Sequence, residues 1–222
     1  MKNIKNFTIE NSINKNYFKD NLYSKDKIKL NKIIKNVYTD LNEVKNTFHI
    51  LSKKFNLEFK KSNLKKFNKY QTVVLIGMGG SVLGTQAIYT FLKQGIKKKF
   101  IFFDNLDQLK IEKTKKEINF KKNLFIIISK SGNTIETLIN SNLFKDKINS
   151  KNSIIITEEE KNLLNIFAKK KKILHVNHKK YIGGRYSVLS EVGIVPAYFM
   201  GLKINHFRKN LLSFFSSKQN LV

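Results

Sequence analysis

Leu124-Phe125-Ile126-Ile127-Ile128, followed at once by Ser129-Lys130-Ser131-Gly132-Asn133-Thr134-Ile135-Glu136-Thr137, is the stretch whose reading decides the fold. Five consecutive apolar residues, three of them β-branched, read as a strand buried on both faces, the pattern of a parallel sheet. Leu138, Ile139, Leu143 and Phe144 then recur at helical spacing. The nine residues from Ser129 to Thr137 therefore form a strand-to-helix turn rich in hydroxyls, with one Gly and one Lys. A helix start presents unpaired N–H groups and the positive end of the dipole. Hydroxyls on Ser129, Ser131 and Thr134 add donors, and Lys130 adds a full charge, which together suit a phosphate. The plainer alternative is that Ser131 or Asn133 serves only as the helix N-cap.

Outward from this turn, the same alternation repeats. Apolar runs at Thr72–Ile76, Phe100–Phe103, Ser153–Thr157 and Ile173–Val176 complete a set of five strands. Helical patterns lie between them, over Gly84–Lys93, Leu106–Ile118, Thr134–Lys147 and Glu158–Ala168. This spacing predicts an α/β fold, a five-stranded parallel sheet between helical layers. Ligands of such sheets sit outside the carboxyl ends of the strands. N-terminal to the sheet, Met1–Asn31 reads as an irregular arm. Leu30, Ile33, Ile34, Val37, Leu41, Val44, Phe48, Leu51 and Phe55 then predict one long amphipathic helix, with His49 on its surface.

The totals narrow the classes. The charge balance is +27, but the lysines are spread through helices and loops and few arginines accompany them, which argues against a nucleic-acid surface. The absence of cysteine excludes disulfides and thiolate metal sites and fits a cytoplasmic protein. No apolar run approaches the ~20 residues of a membrane span, and Met1–Glu10 lacks the apolar core of a signal peptide.

Two more loops carry unusual chemistry. Gly77-Met78-Gly79-Gly80-Ser81-Val82-Leu83-Gly84 follows the first strand and opens a helix, so its amides can approach an anion closely. A dinucleotide fingerprint fits at Gly77 and Gly79 but meets Val82 where a third Gly is needed, although Asp104 stands where a ribose-binding acid would. A Walker A loop from Gly79 to Gly84 fails at Thr85, where Lys is required. The third loop, Tyr181-Ile182-Gly183-Gly184-Arg185-Tyr186-Ser187, holds an Arg beside two glycines. Its planar fork of donors suits a phosphate or a developing oxyanion, and the alternative is an ion pair with Glu191.

In this order on a parallel sheet, GMGGSVLG, SKSGNTIET and GGRYSVLSEVG resemble the N-terminal half of the glucose-6-phosphate isomerase family and, more broadly, the three-layer sugar isomerase (SIS) fold. The resemblance covers about Lys69 to Leu202, with residues 1–68 as an arm, 69–203 as the SIS domain and 204–222 as the start of a connecting helical segment. It implies that Gly80 and Ser81 line the sugar site, that Ser129, Lys130, Ser131 and Thr134 hold the substrate phosphate, and that Arg185 faces the reacting carbons and stabilises an enediolate. It implies no metal or other cofactor, a cytoplasmic enzyme of glycolysis and gluconeogenesis, and a homodimer at full length. The family's Glu base, ring-opening His and Lys lie beyond the resembling region, so no general base is assigned. Ser131-Gly132-Asn133 replace Thr and bulkier residues of many members, which leans toward the wider SIS pattern and a related phosphosugar. Lys180 and Glu191 also depart from the family signature. A second reading is a non-catalytic SIS-domain sensor of sugar phosphates, which would carry a helix–turn–helix where residues 30–55 predict one helix. After the Arg loop, Val192, Ile194, Val195, Tyr198, Phe199 and Leu202, continued by Phe207, Leu211, Leu212, Phe214 and Phe215, form an apolar face expected to need a cover, hence self-association.

Overall fold

A computed structural model of the chain describes residues 2–4, 7–9, 20–117, 122–209 and 211. It divides into two compact units, residues 56–209 and residues 1–55 with 210–222.

In the larger unit five strands pair in parallel: β3 (Thr72–Gly77), β4 (Lys99–Phe103), β5 (Asn123–Ile128), β6 (Ser153–Thr157) and β7 (Leu174–Asn177). Their spatial order is β4-β3-β5-β6-β7. Each strand sits within a residue or two of the apolar run that predicts it. The reason is burial on both faces: every residue of β5 and β6 is buried. Alternate side chains enter two separate cores. Val73, Leu75, Leu124, Ile126, Ile154 and Ile156 face one way, and Val74, Ile76, Phe125, Ile127 and Ile155 the other. The first core is closed by α2 (Lys61–Lys65), α3 (Gly80–Leu92) and α7 (Glu191–Phe199). The second is closed by α4 (Gln108–Glu117), α5 (Ile135–Asn142) and α6 (Leu163–Lys170). The result is the expected three-layer α/β/α arrangement. Leu64 and Phe67 are wholly buried in the first core, so the compact unit begins ahead of Lys69.

Helix boundaries move where side chains compete for backbone groups. The helix expected from Gly84 begins at Gly80, because Val82 and Leu83 both donate to the Gly79 carbonyl. The helix expected from Glu158 begins at Leu163, because Asn162 caps it by accepting from the Asn165 N–H at 2.9 Å. The helix expected to reach Lys147 ends at Asn142.

The apolar stretch after the Arg loop is corrected more substantially. Val192, Ile194, Val195 and Phe199 are buried inside their own unit against α3 and the sheet, so this part of the face needs no second molecule to cover it. Residues 212–222 lie outside the described residues. Pro196, the only proline, sits inside α7 and cannot donate to the Val192 carbonyl four residues earlier. The Thr85 hydroxyl donates to that carbonyl at 3.5 Å instead.

In the smaller unit β1 (Lys2–Ile4) and β2 (Phe7–Ile9) pair antiparallel, and α1 runs over Asp20–Asn42. The irregular arm and the single helix over 30–55 are therefore both corrected. The helix starts earlier and stops at an Asn-rich segment, where Glu43 and Asn46 make three-residue backbone bonds and the Asn46 side chain caps a short 3-10 turn, Thr47–Leu51. His49 is buried, not on a surface, and its Nδ1 bonds to the Leu41 carbonyl at 3.1 Å. Four-residue α8 (Ile204–Phe207) closes the larger unit.

Ile127 lies in the central strand β5, fully buried. Ile127→Ala is expected to lower unfolding free energy by about 2–5 kcal/mol, read from chemical denaturation, because the packed sheet cannot collapse into the cavity.

Candidate functional site

The chain switches direction across the sheet between β3 and β5, since β4 lies outside β3 and β6 outside β5. Gly77 pairs with Ile128, the last residues of these two strands. The Gly-rich loop and the Ser129–Thr134 loop thus leave the sheet side by side, at the crevice such a reversal opens. A Cβ on Gly77 would stand 2.8 Å from the Ile128 carbonyl oxygen, so the two strand ends can approach this closely only with glycine at that position.

Within the second loop, Ser129 is buried and Ser131 exposed. The Ser129 and Thr134 hydroxyls lie 2.9 Å apart, and Ser129 Oγ also accepts the Gly132 N–H at 3.2 Å. Thr134 is the N-cap residue of α5, yet its side chain makes no capping bond. Nor does either residue of the plainer reading cap this helix. Ser131 Oγ accepts the Asn133 N–H, and Asn133 Oδ1 accepts the N–H of Leu163, at the start of α6. The first-turn amides of α5 consequently carry no side-chain cap and point into the loop. Gly132 takes φ +65°, and a Cβ there would fall 1.9 Å from Asn162 Oδ1, the cap of α6.

Lys130 is half-buried. Its ammonium donates to the Lys180 carbonyl at 2.7 Å and lies 3.6 Å from Glu158. This ties the second loop to the stem of the third. Gly80 joins the first loop to the third: a Cβ on Gly80 would stand 2.3 Å from the Gly184 carbonyl carbon and 2.9 Å from the Arg185 nitrogen. The Ser187 hydroxyl donates to the Gly184 carbonyl at 2.7 Å and reaches the Gly80 carbonyl at 3.4 Å. Ser81, half-buried, donates its N–H to the Met78 carbonyl in the first turn of α3.

Arg185 is exposed and makes no hydrogen bond or ion pair among the described residues. The expected competitor Glu191 is wholly buried and accepts the Glu58 N–H at 2.8 Å, leaving the guanidinium fork open. Asp104 is also engaged. Gln86 donates to its Oδ2 at 2.6 Å and Lys110 to its Oδ1 at 2.7 Å. Burial works to raise its pKa, but these two bonds and the Lys110 charge outweigh it and hold the carboxyl below its ordinary value. With both oxygens held and Val82 buried in the core, the dinucleotide reading has no support at either position.

His178 lies just past the end of β7, where sequence reading makes it a structural histidine. It is buried, and its pKa falls to about 4, first through burial and further through the Lys130 charge, against a hydrogen bond to the Lys179 carbonyl. Proximity to Lys130, 48 residues away in sequence, is visible only in the fold.

Two outcomes follow from this geometry. Gly80→Ala sets a methyl against backbone that cannot rotate aside, so it is expected to cost about 1–3 kcal/mol of stability in denaturant melts. His178 is expected to stay neutral down to about pH 4 in an NMR titration. Its unfolded-state pKa is near 6.5, so the His178 contribution to stability falls as pH drops from about 6.5 to about 4, by about 3 kcal/mol at most, and that contribution changes no further below.

A protein-family model described as phosphoglucose isomerase matches residues 13–213. A glucose-6-phosphate isomerase of Methanocaldococcus jannaschii is 38% identical over 153 residues, covering 64% of this chain and 36% of that protein. Among solved structures, a glucose-6-phosphate isomerase from Chlamydia trachomatis superposes with TM-score 0.60 at 26% identity, over 72% of this chain and 33% of that one. A hypothetical protein from Thermus thermophilus gives TM-score 0.72 at 22% identity, over 90% of this chain and 51% of that one, a likeness of fold. The chain spans about a third of the length of the curated relatives it matches.

Proposed function

Because the chain belongs to the phosphoglucose isomerase family, we propose that it supplies the phosphosugar-holding part of a glucose-6-phosphate isomerase, interconverting glucose 6-phosphate and fructose 6-phosphate. The observation that carries this reading is the meeting of three loops at the β3/β5 crevice, with the α5 amides free of a side-chain cap and Arg185 without a partner among the described residues. We place the enzyme in the cytoplasm, in glycolysis and gluconeogenesis, as a homodimer at full length.

Each role follows from the chemistry of the group. The first-turn amides of α5, with the hydroxyls of Ser129, Ser131 and Thr134, offer N–H and O–H donors to the dianionic phosphate. Lys130 adds positive charge beside them while it braces the Lys180 carbonyl. Gly80 and Ser81 line the sugar, and the missing Cβ of Gly80 lets the Gly184–Arg185 peptide lie against them. In the isomerisation a proton leaves the carbon next to the carbonyl and the carbonyl oxygen gains negative charge as the enediolate forms. The guanidinium of Arg185, permanently charged, stabilises that oxygen more than it does the neutral carbonyl, and the difference lowers the barrier. No general base is assigned among the described residues: Asp104 is held by Gln86 and Lys110, and Glu158 faces Lys130.

Titration of fructose 6-phosphate into the 222-residue chain and into a Ser129→Ala/Thr134→Ala variant tests the assignment. Each hydroxyl bond to a charged group is worth about 1.5–3 kcal/mol. The double loss is less than additive, because the two hydroxyls touch. Equal affinity of the two proteins removes the second loop from the site.

A further inference from the structure

Glu191 is the first residue of α7, directly after the 3-10 turn Gly184–Leu189 that carries Arg185, with only Ser190 between. An acid at a helix start needs no special cause when it is exposed. Glu191 is wholly buried. Its Oε1 accepts the Glu58 N–H at 2.8 Å, and its Oε2 has no hydrogen-bond partner among the described residues. Burial pushes its carboxyl pKa up, against the Glu58 bond and the charge of Lys179, so the anion is costly where it sits.

The groups that face it are Glu58, Lys179, Tyr181 and Arg208. Lys179 forms an ion pair with Glu58. Arg208 donates from Nη1 to the Leu189 carbonyl at 2.5 Å, which fixes the last residue of the Arg185 turn. Both stems of that turn are therefore braced by charged groups, Lys179 through Glu58 on the way in and Leu189 through Arg208 on the way out, with Glu191 the buried member between them. On the far side the turn rests on Gly80, backbone against backbone.

We infer that Glu191 is a positioning residue for Arg185: its carboxyl holds the Glu58 backbone, Glu58 in turn pairs with Lys179 on one stem, and Arg208 fixes Leu189 on the other, so the turn that aims the guanidinium is held at both ends. The consequence for sugar recognition rests on the function proposed above, in which Arg185 faces the reacting carbons. The phosphate loop meets this stem through Lys130 at the Lys180 carbonyl, a bond to backbone that a change of charge at Glu191 leaves in place, so the two halves of the substrate respond separately.

Glu191→Gln in the 222-residue chain keeps an oxygen for the Glu58 N–H and removes the charge. Amide hydrogen exchange is expected to rise about tenfold across 183–190, where the Tyr186 and Ser190 amides are bonded to Gly183 and Ser187, and to stay unchanged across 129–134. Fructose 6-phosphate affinity is expected to fall about tenfold while inorganic phosphate affinity holds. In an Arg185→Ala background Glu191→Gln is expected to cost nothing more. Unchanged exchange at 183–190, or an equal loss for both ligands, overturns the inference. Should Glu191→Gln fail to fold, Lys179→Gln removes a facing charge and leaves Glu191 in place, and the same exchange result is required of it. A parent chain that does not bind fructose 6-phosphate overturns the proposed function, and the exchange measurement still decides the clamp.

Discussion

Parallel pairing of β3 with β5, ending where Gly77 meets Ile128, is the constraint on which the rest of the larger unit depends. A strand buried on both faces has no polar side to offer water, so its backbone must be paired and its faces covered by helices. The connections that cover them leave β3 and β5 in opposite directions across the sheet, and a crevice opens between. Every residue assigned to the phosphosugar is on or next to a loop that reaches this crevice or is braced against one that does. Replacing Gly77 would separate the strand ends and with them the first two loops.

Close backbone packing does the remaining positioning. Gly80 against the Gly184–Arg185 peptide is a contact no other residue permits at that distance, and it brings together segments about a hundred residues apart. Polar bonds then brace the assembly from the other sides: Lys130 to the Lys180 carbonyl, Ser187 to Gly184, and Arg208 to Leu189. The Arg185 side chain itself has no partner among the described residues. A guanidinium already satisfied by a carboxylate would have to exchange that partner for a developing oxyanion, whereas an open one is available as soon as it is desolvated.

Charge is distributed with a similar division. The excess of lysines is mostly at the surface, where a single charge contributes little. Among the described acids and histidines of the larger unit, Glu191 and His178 are the buried ones, and burial is the first cause of the shift in each. Both flank the Arg185 turn or its stem. Buried charge or suppressed protonation costs stability, and here it is concentrated beside the candidate site.

Much of this was legible in the chain alone. The five strands, their parallel order of alternation with helices, and the three loops with unusual chemistry follow from local apolar period and from residue type, because a strand buried on both faces must be continuously apolar. Gly80, Ser81, Ser129, Lys130, Ser131, Thr134 and Arg185 stand out as candidates from motifs of a few residues each. What sequence did not reveal was decided by contacts between distant segments. The helix expected over 30–55 stopped at Asn42 because local side-chain and three-residue backbone bonds compete with helix continuation. The apolar face of α7, read as needing a partner molecule, is covered by α3 and the sheet of its own unit. Glu191, read as a possible mate for Arg185, is turned inward to Glu58, 133 residues away, and His178 owes its neutrality to burial and to Lys130. Periodicity reports which side of an element is apolar. Only the tertiary structure decides what lies against it, since burial and partner choice are set by the packing of the whole chain and not by the neighbours in sequence.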